Sequence, residues 1–184
     1  VRITRTYRRF DEGDPIPADL LEGLVELARL TASGANRQPL RYRIVSDAAT
    51  RSRVFDTLRW AGALPDWDGP ERGERPTGYV VICDAGGGAT LRVDEGIAAQ
   101  TMMLAAVQAG FGGCFLHAFD VAALTGALAL DEAGVKPIMV VALGRPAEDV
   151  RIEPLEGAPA GTTYWRDADG AHHVPKRSLG EVLV

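Results

Sequence analysis

One run of residues narrows the choice of folds more than any other. From Val93 to Gly110, Ile97, Ala98, Thr101, Met102, Leu104, Ala105 and Val107 fall at spacings that make a long helix apolar nearly all round. Such a helix does not suit an open surface, so it is either central in its own chain or shared with another subunit. Two further runs, TGYVVICD (Thr77 to Asp84) and PIMVVAL (Pro137 to Leu143), have the continuous apolar character of buried strands, the second closing at Gly144 and Pro146. Leu20, Leu21, Leu24, Val25, Leu27 and Ala28 recur at helical spacing ahead of Gly34, where that helix is expected to stop. Pro39 then bars a return to helix, and Tyr42, Ile44 and Val45 read as a strand. Asp47 can cap a helix through about Trp60 that buries Val54, Phe55 and Leu58, and Asp120 can cap another to Leu130. Helices and strands therefore alternate along the chain.

At 184 residues and 46% hydrophobic composition, one domain with a sizeable core, spanning residues 1–184, is the expectation. A net charge of -5 argues against nucleic acid or an anionic membrane as the main partner. Of the 20 basic residues all but Lys136 and Lys176 are Arg, so an anion site would be built largely from planar guanidinium forks. Cys83 and Cys114 are too few and too far apart for a zinc site, a CxxC pair or a disulfide framework, and read as buried strand thiols in a reducing cytosol. No apolar run reaches bilayer length, and Val1 to Phe10 is basic without an apolar core. A soluble cytoplasmic protein with no metal centre is the expectation.

Chemistry-bearing residues gather in a few places. Thr31 to Leu40, TASGANRQPL, sits between helix and strand with almost no bulky side chains. Ala32, Ser33, Gly34 and Ala35 leave backbone accessible there, while Asn36 and Gln38 offer amides, so something flat could lie against it. TRTYRRF (residues 4–10) places Arg5, Thr6, Arg8 and Arg9, all able to bind anions, ahead of the first helix. Between Ala61 and Pro76, Pro, Gly and charge surround Leu64 and Trp67, with Trp60 just before them. This is either a loop pinned by its aromatics or a substrate lid. The triple glycine Gly86 to Gly88 lacks the GK[ST] or GxGxxG that a phosphate loop needs and reads as a turn. FGGCFLHAF, Phe111 to Phe119, carries one His on an apolar strand. After a polar stretch from Arg151, YWR-DADG-AHHV reads as two short strands around a turn. His172 and His173 would then point to opposite faces and could not share a metal. The tail ends in PKR, Pro175 to Arg177, and a short apolar segment, Leu179 to Val184, expected to pack on the core or a partner.

These segments resemble the nitroreductase family of flavoproteins. Thr31 to Leu40 is similar to its PSxxNxQPW segment, with Ala32, Ser33, Asn36, Gln38 and Pro39 in register and Leu40 in place of Trp. Residues 4–10 resemble RRSxRxF, with Arg5, Thr6, Arg8 and Phe10 matching and Thr4 in place of the first Arg. DEGIAAQTMMLAA, Asp94 to Ala106, resembles DxGxAAQNLLLAA of the family's interface helix. Phe111 to Phe119 resembles the GxGxCxxxxFD run. The resemblance implies an α+β fold, a central mixed or antiparallel sheet flanked by helices, in an intertwined homodimer that binds two FMN at the subunit interface. Residues 61–76 would form a reduced lid bearing Leu64 and Trp67 beside Trp60, and residues 151–184 a C-terminal extension.

The same resemblance implies roles. Arg5, Thr6 and Arg8 would hold the flavin phosphate and the pyrimidine edge, with Arg8 near N1 and O2, where a guanidinium stabilises the reduced ring. Ala32, Ser33, Asn36 and Gln38 would contact flavin, Ser33 and Asn36 that of the other chain. His117 and Ala118 would face N5 through backbone, and Lys176 or Arg177 would reach the phosphate. The implied activity is ping-pong: NADH or NADPH reduces the flavin, and a small electron-poor acceptor, a nitroaromatic or quinone, takes the electrons without a catalytic side chain. The rivals are other chemistry on the same fold (dehalogenation, ene reduction or flavin breakdown) and a non-enzymatic flavin-binding protein.

Overall fold

A computed structural model describes residues 1–64 and 66–184; Pro65, inside the expected lid, lies outside the described residues. Strand β3 (Gly78–Asp84) is the axis of the molecule. Its flanks are β2 (Leu40–Val45) and the long β5 (Lys136–Pro146), and β5 in turn pairs with β1 (Phe10–Asp11) near one end and β4 (Gly112–Leu116) along its middle, every pairing antiparallel. Side chains of β3 alternate between two cores, as the period of a strand requires. Val80 and Ile82 face α1 (Ala18–Arg29) and α3 (Leu91–Gln108), while Tyr79, Val81 and Cys83 face α2 (Ala48–Phe55) and α4 (Val121–Leu128). Helices therefore cover both faces, which is why β3 reads as an unbroken apolar run rather than an alternating one.

The appendage built from residues 150–184 is separate and polar. β6 (Val150–Pro154) runs parallel to β8 (His172–Lys176), which pairs antiparallel with β7 (Trp165–Arg166), and the short α5 (Leu179–Val182) follows. β6 escapes sequence reading because its outward Ile152 stands 45% exposed and its neighbours are charged. The tail from Leu179 to Val184 is exposed and does not pack on this chain's core.

Other boundaries also differ from expectation, each for a local reason. α1 ends at Arg29, where Leu30 caps it in helical geometry, and Gly34 instead opens a 3-10 turn. α2 stops at Phe55, one residue before Asp56, so Leu58 and Trp60 are buried beyond the helix rather than on it. Asp120 caps α4 by accepting from Ala123 N, as Asp47 caps α2 through Thr50 N, but α4 ends at Leu128 on a left-handed Ala129. Gly144 lies inside β5 rather than closing it, and the strand ends at Pro146 as expected. Gly144 is there because a Cβ would stand 2.9 Å from the Phe10 ring, and Pro146 pairs only with the end of β1. Met102, expected on an interface, is wholly buried in this chain's own core; the outward face of α3 is instead Val93, Ile97 and Leu104.

Candidate functional site

Helix α3 lays out the candidate residues in order along its length. Near its start the buried Asp94 carboxylate accepts from Ser33 Oγ at 2.8 Å and Gly34 N at 3.0 Å, and Ser33 Oγ accepts from Gln38 N at 3.0 Å. This anchoring lets the loop hold three non-glycine residues in left-handed conformation: Ala35, Asn36 and Gln38, with φ of 50°, 54° and 50°. Such strain persists only where surroundings over-determine it, and it concentrates at ligand-binding segments. The Ser33 hydroxyl proton is thus committed to Asp94 on α3, while Asn36 and Gln38 stand exposed and linked by Gln38 Nε2 donating to Asn36 Oδ1 at 3.1 Å. Ala32, Ser33 and Gln38 line a cavity of about 240 Å³ walled by Tyr42 and Asp94.

One residue further along, Glu95 is 1% exposed although it carries a carboxyl group. Its partners are Arg92 Nη1 at 2.8 Å and His117 Nε2 at 3.0 Å. His117 comes immediately after β4 with half its ring exposed, so Glu95 fixes the orientation of an accessible imidazole. The adjacent Ala118 carbonyl accepts from Arg59 N at 2.9 Å, which fixes the backbone where the strand ends.

From Asp94 to Met103 is roughly 13 Å at the helical rise. There Gln100 and Met103 form one wall of a cavity of about 170 Å³ that also contains Thr4, Arg5, Thr6 and Lys176. It adjoins a larger one of about 540 Å³ lined by Thr6, Arg8, Tyr164, His172, Lys176 and Arg177, the two sharing Thr6, Val174 and Lys176. Four cations thus surround two adjoining cavities whose linings hold no carboxylate among the described residues. The Arg8 guanidinium lies 4.8 Å from the Tyr164 ring centroid and 3.4 Å from His172 Nε2, both neutral partners. Burial first, and then the Arg8 charge, holds His172 down at about 4, so it adds no charge at neutral pH. Arg177 is the most diluted of the four, with Glu181 at 3.6 Å. Among the described residues, the cavity at the Ser33 loop and the two cationic cavities have no lining residue in common.

The expected lid residues are pinned. Trp60, expected beside the lid, is 8% exposed and packs in the core against Phe55. Trp67 is half-buried, edge-on to Trp60 at 6.4 Å, with the Arg166 guanidinium 4.3 Å above its ring; Leu64 is half-buried nearby in sequence. His172 and His173 face opposite ways, as a strand dictates: His172 toward Arg8, His173 toward Glu153 and Asp167 at 2.8 and 2.9 Å. Tyr164 and Glu148 were not legible as site residues, because each reaches Arg8 only through long-range pairing. Among the described residues no helix is long and apolar enough to cross a membrane.

Solved structures share this fold. A protein from Desulfovibrio desulfuricans described as a nitroreductase in complex with FMN superposes with a TM-score of 0.68 at 23% identity, covering 100% of this chain and 92% of its own. A structure described as an oxidoreductase containing FMN gives 0.64 at 17% identity over 98% and 87%. A nitroreductase family protein from Clostridium difficile 630 gives 0.63 at 17% identity over 80% and 82%. No curated protein matches the chain in sequence. The family model for nitroreductases matches residues 1–145, most of the 184, and with them β1 to β5 and both helical layers. The chain belongs to the nitroreductase family.

Proposed function

We propose that this chain is an FMN-dependent oxidoreductase that takes electrons from NADH or NADPH and passes them to a small electron-poor acceptor of the nitroaromatic or quinone type. The observation that carries this reading is the pair of adjoining cavities around which Arg5, Arg8, Lys176 and Arg177 gather with no carboxylate in the lining among the described residues, in a chain of net charge -5. Of these four only Arg177 has a carboxylate partner among the described residues, Glu181 at 3.6 Å; cations gathered in this way repel one another unless an anion joins them, and a phosphate dianion suits both guanidinium forks and an ammonium. Thr6, exposed between Arg5 and Arg8, adds a hydroxyl to the same space. Those residues fit a flavin mononucleotide phosphate. The Ser33 loop, with its small side chains and exposed amides, fits one face of a flat ring. The relatives that are described with FMN support the same cofactor.

When bound, FMN supplies the redox chemistry: two electrons in from a nicotinamide, two out to the acceptor. The protein's residues do the rest. Arg8, held over Tyr164, keeps a positive charge where an anionic group can meet it. Glu95 orients His117 just beyond the end of β4, which holds an accessible polar ring in a fixed direction. The outward residues Val93, Ile97 and Leu104 on α3, with the exposed tail from Leu179, give the chain an apolar face suited to a second copy. A homodimer would place the Ser33 loop of one chain beside the cationic cavity of the other.

The test is anaerobic reduction of the FMN-loaded protein by NADH and by NADPH, followed by stopped-flow mixing with a panel of nitroaromatics, quinones, haloaromatics and enones. Bleaching of the flavin by a nicotinamide and its reoxidation by a nitroaromatic or quinone is the expected result. Reoxidation only by a haloaromatic or an enone would assign different chemistry to the same fold, and no reduction at all would make the protein a flavin binder.

A further inference from the structure

Glu148, in the link between β5 and β6, has a side chain only 2% exposed. A carboxylate so buried is strongly disfavoured unless every lone pair is engaged. Three donors meet it: Arg8 N, Arg9 N at 3.2 Å and Arg166 Nη2 at 3.0 Å, while Ala147 N donates to Arg9 O at 3.0 Å. The arrangement has an unusual division. Glu148 takes the backbone of Arg8 and leaves its guanidinium alone, and its charge is balanced by Arg166 instead. Arg8 is thereby fixed in direction without being neutralised, in a segment that has no regular secondary structure of its own between residues 7 and 9. Arg166 is 13% exposed in its side chain, and its guanidinium also covers the Trp67 ring at 4.3 Å.

We propose that Glu148 is the positioning residue of the cationic cavity, and that its pairing with Arg166 carries that positioning to the loop bearing Trp67. The proposal rests on the reading that the cavity takes the FMN phosphate. Two residues, Arg166 and Glu148, stand between Trp67 and Arg8 and link them through three contacts, so the loop and the anion site share one support. Removing the carboxylate acceptor lets the Arg8 backbone swing, and removing Arg166 uncovers Trp67. Neither residue lines the cavity, so the effect on binding passes through Arg8.

Removing one partner alone would leave a buried charge and endanger the fold. Two double variants avoid this: E148Q/R166M keeps an oxygen able to accept from Arg8 N and Arg9 N, and E148A/R166M does not. Both are titrated with FMN and, separately, with inorganic phosphate, alongside the wild type. Tryptophan emission is recorded in each, with a W67F background to assign the Trp67 signal. E148A/R166M should bind FMN and phosphate roughly tenfold more weakly than E148Q/R166M, the size of one lost positioning hydrogen bond. Trp67 emission should shift equally in both variants. Equal affinities in the two overturn the positioning role, and unchanged Trp67 emission overturns the link to the loop. Wild type that takes phosphate but not FMN would overturn the FMN reading and leave the role of Glu148 measurable through phosphate.

Discussion

The five-stranded sheet and the three-stranded appendage are held together by different forces. In the first, β3 and β5 lie between two apolar layers, with Val80, Val81, Ile82, Val140, Val141 and Leu143 fully buried. In the second, charged and aromatic side chains do the joining: His173 bridges Glu153 and Asp167 and stacks on Trp165 at 5.0 Å, and Arg166 pairs with Glu148. The apolar sheet resists change everywhere and the appendage only at a few polar joints. Since Lys176 and Arg177 ride on the appendage, part of the candidate anion site depends on the more conditional half of the molecule.

The largest effect should come from forcing a side chain into the main sheet. A Cβ at Gly113 would lie 1.9 Å from the Ala142 carbonyl oxygen, so Gly113→Val should cost roughly 3–5 kcal/mol in urea unfolding or abolish folding. Gly180→Ala, with nothing within 4 Å, should stay within about 0.5 kcal/mol of wild type. Equal losses would erase the distinction between the two regions.

Two substitutions on α3 come next. Met102 is fully buried in its own chain, so Met102→Arg should cost several kcal/mol and prevent folding, on the order of 3–5 kcal/mol for an unpaired buried charge. Leu104 is 38% exposed, so Leu104→Arg should fold normally and shift the chain from dimer to monomer in light scattering, with loss of FMN. A dimer that survives Leu104→Arg would remove this face of α3 from the interface.

Smaller effects belong to the appendage. Lys176 lines both cationic cavities, whereas Arg177 lines one and is shared with Glu181. Lys176→Ala should therefore weaken FMN binding about tenfold, and Arg177→Ala only about twofold, in a fluorescence titration. The reverse order would place the phosphate nearer the tail.

The last effect is local and pH-dependent. Hydrogen bonds to Asp167 and Glu153 raise the His173 pKa above its ordinary 6.5, and His173 in turn lowers that of Asp167 below 3.8. A raised histidine stabilises fully below its unfolded value and stops doing so as pH rises through its folded value; the lowered Asp167 loses its contribution as pH falls through its own. The joint between β6, β7 and β8 should thus be firmest in mildly acidic solution and loosen on the alkaline side. Amide exchange, corrected for its intrinsic pH dependence, should show this in β8 and not in β3. Matching changes in both strands would mean that one pH response governs the whole chain.

What the sequence disclosed follows the same divide. β3, α3 and the body of β5 were legible because burial on both faces leaves an unbroken apolar signature, as in Tyr79 to Cys83. The cationic residues Arg5, Arg8, Lys176 and Arg177 were legible as charged clusters at the two ends of the chain, and the structure brings them to two adjoining cavities. β6 was not legible, because its partner β8 lies beyond a long polar link and its own residues, VRIEP, are charged or outward. Glu148 and Arg166 could not be singled out either: each is one charge among many until folding buries both. Trp60 was assigned to the lid because it neighbours Pro and Gly in sequence, yet Phe55 and Trp67 draw it into the core.

The most direct measurement of the central claim is a titration of the metal-free, flavin-free protein with FMN, followed by quenching of flavin fluorescence. One FMN per chain is expected, with affinity falling as salt is raised because guanidinium and ammonium groups hold a phosphate. The same titration should show no saturable binding by an R5A/R8A/K176A variant that unfolds like wild type. Binding by that variant at wild-type affinity, or no binding by the wild type, would contradict it.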